Sequence, residues 1–200
     1  MLDPEIEKNM ARYRASATDH KSQIFENWRL LPYKWPEVLT VRRNMDFSLK
    51  RLSLHEMDEA AAVHRAAFDD RLPWLAGFHT PEGDRVYFRS HVFPACEVWG
   101  ALDNAMVGFI AFRDEWIDQL YVLPHRQRQG VGRALLKIAK AASPRLFLWT
   151  FQRNAPARRF YESHGFLAIK ETDGSGNEER EPDVLYQWDR EMSAQPVSES

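Results

Sequence analysis

Between Pro4 and Trp28 apolar residues return at helical spacing, at Ile6, Met10, Tyr13, Ala17, Ile24 and Trp28, which predicts a helix with one buried face. Pro32 and Pro36 stop it and force an extended, aromatic connector before Val41. A strand is expected over 46–51 and a helix over 56–68, where Ala60, Val63, His64 and Ala67 keep helical register. A Pro-, Gly- and His-bearing stretch over 72–84 reads as a loop, followed by a short helix over 86–93. Three apolar runs, 97–102, 105–112 and 116–123, are separated by Asp103-Asn104 and Arg113-Asp114, the pattern of an antiparallel meander. After Pro124 the period changes: Val131, Ala134, Leu135, Ile138 and Ala139 predict a helix that ends at Ser143-Pro144. The run 146–151 is apolar almost throughout, as in a strand covered on both faces and therefore parallel to a neighbour. Asn154 reads as an N-cap with Pro156 in the first turn, and Gly165 closes that helix. Strands over 166–171 and 184–188 complete the pattern.

Three segments follow: a helical extension and linker (1–44), one α/β domain with a mixed sheet (45–191), and a polar tail (192–200) expected to be disordered. The extension offers a packing face for the domain or for a second copy of the chain, which would make a homodimer.

At 200 residues with 44% hydrophobic and 28% charged positions, the chain can bury a substantial core. A formal net charge of −2 lacks the basic excess of a dedicated nucleic-acid binder, and Lys8, Arg12 and Arg14 do not supply one. No apolar run nears the roughly 20 residues of a membrane span, and the start MLDPEIEKNM has no signal-peptide pattern, so a cytoplasmic protein is expected. The single Cys96 excludes an internal disulfide and is expected as a buried, inert thiol. The histidines, at 20, 55, 64, 79, 91, 125 and 164, show no metal-ligand spacing, and no metal is expected.

The sharpest local signal is Gln127-Arg128-Gln129-Gly130-Val131-Gly132-Arg133, between a strand end and a helix start. Glycines let the main chain bend and approach a ligand, and the following helix presents unpaired N–H groups and a positive dipole end to a phosphate. Arg126, Arg128 and Arg133 add charge. Leu135 stands where a dinucleotide fingerprint needs Gly or Ala, and the Lys-Ser/Thr pair of a P-loop is absent.

The run Leu120-Tyr121-Val122-Leu123-Pro124, then Gln127-x-x-Gly130-x-Gly132, then Asn154, Ala157, Phe160-Tyr161 and Gly165-Phe166, resembles the GNAT superfamily of N-acetyltransferases over 46–190. The first loop position of that pattern is often Arg and is Gln127 here. The resemblance implies a mixed sheet splayed between its fourth and fifth strands, helices on both faces, and acetyl-CoA inserted in the cleft as cosubstrate. Leu120, Tyr121 and Val122 would pair with the pantetheine arm, Arg128, Gln129, Gly130, Val131, Gly132 and Arg133 would hold the pyrophosphate with Gln127, and Asn154 would touch the arm from the far side. A main-chain N–H near Val122 would polarise the acetyl carbonyl. Tyr161 occupies the family's usual position for the acid that protonates the departing thiolate, and its phenol is protonated at neutral pH. The acetyl group would pass directly to an amine in a ternary complex.

The base is read differently. The position that carries Glu in some family members holds Trp149, so the reading turns to Asp118, which strict alternation puts on the face of Trp116, Leu120 and Val122 unless a bulge intervenes. Asp118 is equally read as an acceptor-binding or a solvated carboxylate. On the acceptor side, 171–183 carries Glu171, Asp173, Glu178, Glu179, Glu181 and Asp183 against Arg180, and would attract a cation or simply be solvated. Trp74, Phe78, Tyr87 and Phe88 either line the acceptor pocket or fill core. The competing reading is a non-catalytic acyl-CoA-binding regulatory domain.

Overall fold

The structure, a computed structural model, describes residues 38–39, 46–77 and 79–193; the helix expected over 4–28, Phe78 and the tail beyond Ser193 lie outside the described residues. Among the described residues eight strands form one sheet: β1 (Val38–Leu39), β2 (Ser48–Arg51), β3 (Glu97–Asp103), β4 (Ala105–Arg113), β5 (Trp116–Val122), β6 (Arg145–Phe151), β7 (Leu167–Glu171) and β8 (Asp183–Asp189). Their spatial order is β1-β2-β3-β4-β5-β6-β8-β7. β5 and β6 are parallel and every other neighbouring pair is antiparallel. The expected meander is β3-β4-β5, turned by Asn104 and Asp114, both at positive φ. β1 lies in the connector expected to be extended and pairs with Leu49 and Lys50.

The helices are α1 (Met57–Arg71), α2 (Pro81–Tyr87), α3 (Val131–Ala142), α4 (Ala155–Ser163) and a last turn α5 (Arg190–Ser193). α2 departs from the sequence reading, which began it at Val86. Thr80 caps it, its Oγ1 accepting from the Gly83 N–H at 3.0 Å, and Pro81 supplies the first-turn dihedral, so the Pro-rich stretch is a helix start. The helical path then widens into a π-turn over Phe88–Val92 and ends in the turn Phe93–Ala95. The acidic end of α2 is tied to α1 by the Arg65–Asp84 ion pair, and Arg65 also donates to the His79 carbonyl at 2.8 Å.

The core explains why β4 is apolar almost throughout. Phe109 and Ala111 pack with Met57, Ala60, Val63 and Phe88 on the α1/α2 face. On the opposite face Gly108, Val122 and the first residue of α3, Val131, are in contact, so helices cover both sides of the strand. Burying the 1%-exposed Val131 and the 0%-exposed Leu135 is worth about 2 kcal/mol each. Among the described residues no helix is long and apolar enough to cross a membrane.

One joint in this sheet differs from the rest. β5 and β6 share a single ladder pair, Trp116 with Phe147, next to a 2.7 Å bond from the Phe147 N–H to the Glu115 carbonyl. β5 stays paired with β4 up to Val122, and β6 stays paired with β8 up to Phe151. The two strands therefore start together, with the Trp116 and Phe147 rings 5.2 Å apart, and separate towards their carboxyl ends. These are the fourth and fifth strands of the sequence reading, and the sheet is splayed where the resemblance implies.

Candidate active site

The wedge between β5 and β6 opens where three chain turns meet: the loop from β5 into α3, the turn from β6 into α4, and the end of α1. In the first, Pro124–Arg126 makes a single 3-10 turn, then Arg128 (φ +62°) and Gly130 (φ +86°) take left-handed dihedrals. Gly130 is the N-cap of α3 and has no side chain with which to cap it. The first N–H groups of α3 have no intrahelical acceptor, so this end of the helix presents donors and a positive dipole to an anion. A conformation that favours glycine thus falls at the donor-bearing end of the helix.

The residues expected to form this cradle divide into scaffold and cradle proper. Val131 is buried against Gly108, so its side chain serves packing. Gly132 lies against the Phe160 ring of α4, and the Arg133 guanidinium lies over Gly130. The Gln129 side chain donates to the His125 carbonyl at 2.8 Å and closes the turn. Gln127 is likewise a brace, its Nε2 donating to the Val122 carbonyl at 3.1 Å. Arg126, read from sequence as part of the charge on the loop, is paired with Asp103. Arg128 remains exposed beside Gly130. A residue that sequence reasoning missed joins them: Arg71, the last of α1, donates to Gln127 Oε1 at 2.9 Å.

On the other side of the wedge Asn154 caps α4 as expected, its Oδ1 accepting from the Ala157 N–H at 3.2 Å, which leaves its Nδ2 group for a ligand acceptor. Two helical turns on, Tyr161 is 8% exposed, with Phe160 and Phe166 packed edge-on at 5.3 and 5.5 Å. Burial pushes its phenol above the ordinary value of 10, and Tyr121 of β5 adds to the shift. Tyr161 therefore holds its proton throughout the neutral range.

Asp118 is not where alternation puts it. Ala111 pairs with Gln119 and Phe112 with Ile117, so Asp118 is an extra residue in a β-bulge. It turns to the α1/α2 face, where Arg113 binds it at 3.1 Å and the Cys96 thiol donates to it at 3.3 Å. Val122 stays on the α3 face. Asp118 thus anchors the bulge. Burial, with the Asp118 carboxylate beside it, pushes the Cys96 thiol up, so this cysteine, half-buried where the sequence reading expected it buried, keeps its proton.

The stretches read from the sequence as the acceptor side belong to α1, α2 and the loop 172–182. His64 stands edge-on to Tyr121 at 4.6 Å and close to Phe88 at 5.4 Å. Phe88 is core, 1% exposed, whereas Trp74 and Tyr87 are half exposed, which separates the aromatic set that the sequence left undivided. Trp74 carries the Arg153 guanidinium at 5.2 Å, and Arg153 also pairs with Glu181 at 3.6 Å. The acidic loop is braced: Thr172 binds Asp183, and the Asn177 Nδ2 donates to the Glu181 carbonyl at 2.8 Å and to Asp183 at 3.1 Å. Within it Glu179 is half-buried, and burial pushes its carboxyl up, with Glu178 and Asp183 adding like charge and His79 opposing. Glu179 also acts on the Tyr121 phenol, so it belongs to the side of the loop that faces β5.

Gly174 makes that loop possible. It sits at φ +82°, and a Cβ there would come within 2.4 Å of the Glu181 main chain. Gly174→Ala should open the loop locally. Amide exchange at Asn177–Glu181 is expected to accelerate, while Tm falls by only about 2–8 °C, as a loop strain of 1–2 kcal/mol implies. Unchanged exchange would show that the brace does not depend on this glycine.

Comparisons with known proteins agree with this geometry. The acetyltransferase (GNAT) domain model matches residues 94–167, from the end of the α2 path to the start of β7. In sequence the chain is 32% identical over 68 residues to the peptidyl-lysine N-acetyltransferase YiaC of Escherichia coli, a match covering 34% of this chain and 47% of that protein. Among solved structures, apo YjaB of Escherichia coli superposes with TM-score 0.60 at 23% identity, covering 71% of this chain and 97% of that one. The PaiA N-acetyltransferase of Thermoplasma acidophilum in complex with coenzyme A gives TM-score 0.53 at 21% identity, covering 72% and 99%. The chain spans about half the length of YiaC and of a second Escherichia coli relative, the uncharacterized N-acetyltransferase YafP. The splayed β5–β6 joint and the glycine-capped start of α3 both lie within the segment 94–167 that matches the acetyltransferase (GNAT) domain.

Proposed function

We propose that the chain is an N-acetyltransferase that passes the acetyl group of acetyl-CoA directly to an amine in a ternary complex. The observation that carries this reading is the separation of β5 from β6 beyond Trp116–Phe147, with Tyr161 and Asn154 on one side and the glycine-capped start of α3 on the other. A thioester carrier with a diphosphate fits such a site: the diphosphate meets the N–H groups around Gly130, and the arm runs beside the unpaired edge of Leu120–Val122. The relatives point to the same class, since YiaC is named a peptidyl-lysine N-acetyltransferase.

Each residue then has a task. Gly130, Val131, Gly132 and Arg133 offer main-chain donors and charge to the diphosphate, with Arg128 at the rim. Asn154 Nδ2 holds an arm carbonyl. A neutral amine attacks the acetyl carbon, the oxyanion is met by a main-chain N–H of β5 near Val122, and the C–S bond breaks as Tyr161 gives its proton to the thiolate. The proton lost by the amine goes to a carboxylate on the acceptor side. Asp118, held by Arg113 and Cys96, is less able to take it than Glu179, whose raised affinity for a proton suits a base. Glu178, Glu179 and Glu181 favour an acceptor that arrives as a cation, such as a lysine side chain, and gives up one proton to solvent before it attacks as the neutral amine; the attraction weakens with salt.

The test is thiol release from acetyl-CoA against a panel of amines, with hydrolysis controls and calorimetric titration of coenzyme A. Amine-dependent release is the expected result. Tight coenzyme A binding without release in any amine's presence would favour a regulatory binding domain, and no binding at all would remove the reading.

A further inference from the structure

The cradle contains a side-chain chain that links three distant parts of the sequence. Arg71 Nη2 donates to Gln127 Oε1 at 2.9 Å, and the same amide donates through Nε2 to the Val122 carbonyl at 3.1 Å. One amide thus joins the carboxyl end of α1 to the last residue of β5 and to the start of the glycine loop. The orientation is determined by chemistry, because only the oxygen end can accept from a guanidinium and only the nitrogen end can donate to a carbonyl.

Arg71 is held ready for this contact. Ala67 and Leu72, four residues before it and one after, are 4% and 3% exposed, and the Leu72 N–H closes the last turn of α1 onto the Phe68 carbonyl at 2.7 Å. A cation at this helix end is favoured by the helix dipole. Among the described residues no carboxylate pairs with Arg71, whereas Arg126 is neutralised by Asp103. The positive charge left at the loop therefore comes from Arg71, Arg128 and Arg133.

We propose that Arg71 completes the diphosphate cradle, fixing the glycine loop through Gln127 and leaving its own charge uncompensated for an anionic ligand. This deepens the acetyl-CoA reading and rests on it. It also gives a physical reason for glutamine at 127. An arginine there would meet Arg71 with two like charges and no acceptor, so on this chain the cation stands on α1 and the loop supplies the amide.

The experiment exchanges the two partners in the full chain and titrates coenzyme A by calorimetry. Q127R is expected to weaken binding by about tenfold or more, since it sets two cations together and removes the acceptor. The exchanged pair R71Q/Q127R should recover affinity to within about threefold of wild type, because it restores one amide and one guanidinium. R71M, which removes donor and charge without adding bulk, should weaken binding about tenfold, and R71K should lie between R71M and wild type. Melting temperatures of all variants separate loss of fold from loss of affinity. If R71M binds like wild type, or the exchanged pair binds no better than Q127R, the assignment of Arg71 is overturned. If wild type itself gives no heat with coenzyme A, the acetyl-CoA reading fails, and this inference with it.

Discussion

Tyr161→Phe is expected to lower kcat for thiol release by about 10²-fold or more while the dissociation constant of coenzyme A stays within about twofold of wild type. The ring contacts that hold the residue, Phe160 at 5.3 Å and Phe166 at 5.5 Å, are made by carbon and survive the change. What is lost is one hydroxyl proton in a site that is 8% exposed, where water cannot readily replace it. The proposed pathway needs that proton only as the C–S bond breaks, so the loss falls on the rate and not on binding of the carrier. Because burial raises the phenol's pKa, no fall in kcat from ionisation of this acid is expected below about pH 10. Stopped-time thiol assays at saturating acetyl-CoA and amine check both points. An unchanged kcat in the variant would assign Tyr161 to packing and leave the thiolate to be protonated by solvent.

Much of the architecture was legible because the local signals agree with one another. Polar pairs at 103–104 and 113–114 mark the two turns of the meander, and both contain a residue at positive φ. The period change after Pro124, the apolar run of β6 and the cap at Asn154 place the crossover and α4 where they occur. α2 was misread for composition, although Thr80-Pro81 is a cap signal in its own right. The site was legible in its main chain and less so in its side chains. Nothing in the residues around Asp118 marks a bulge, so the face onto which it turns could not be read from alternation. Pairing of Arg126 with Asp103, and of Arg71 with Gln127 across 56 positions, comes from tertiary packing. Charges counted along a loop therefore did not tell which of them face a ligand.

Acidification should destabilise this fold in a window set by His64. Its imidazole is packed among Phe68, Phe88 and Tyr121, with ring centroids at 5.5, 5.4 and 4.6 Å, and its Nδ1 is buried without a hydrogen-bond partner. Burial pushes its pKa down to about 4 from 6.5; Asp84 and Asp69 oppose the shift, and Arg65 and His79 reinforce it. Above pH 6.5 the folded and unfolded chains both hold a neutral ring and no differential arises. As the pH falls from 6.5 to about 4, the unfolded chain takes up a proton that the folded chain refuses, so unfolding is favoured by at most about 3 kcal/mol. Lys140, pushed down to about 8 by burial, its ammonium over the Phe166 and Trp188 rings, acts between about 8 and 10.5 and leaves this acid limb alone. His64→Phe keeps a ring of similar size beside Phe88 and Tyr121 and removes the orphaned nitrogen. Urea unfolding at pH 7.5 and 4.5 should show wild type losing about 2–3 kcal/mol more than the variant between the two values. Equal losses would mean that other groups carry the acid limb. Since the folded ring stays neutral until the pH nears 4, coenzyme A affinity of the folded protein should hold across this interval in wild type and variant alike, which separates loss of fold from loss of the site.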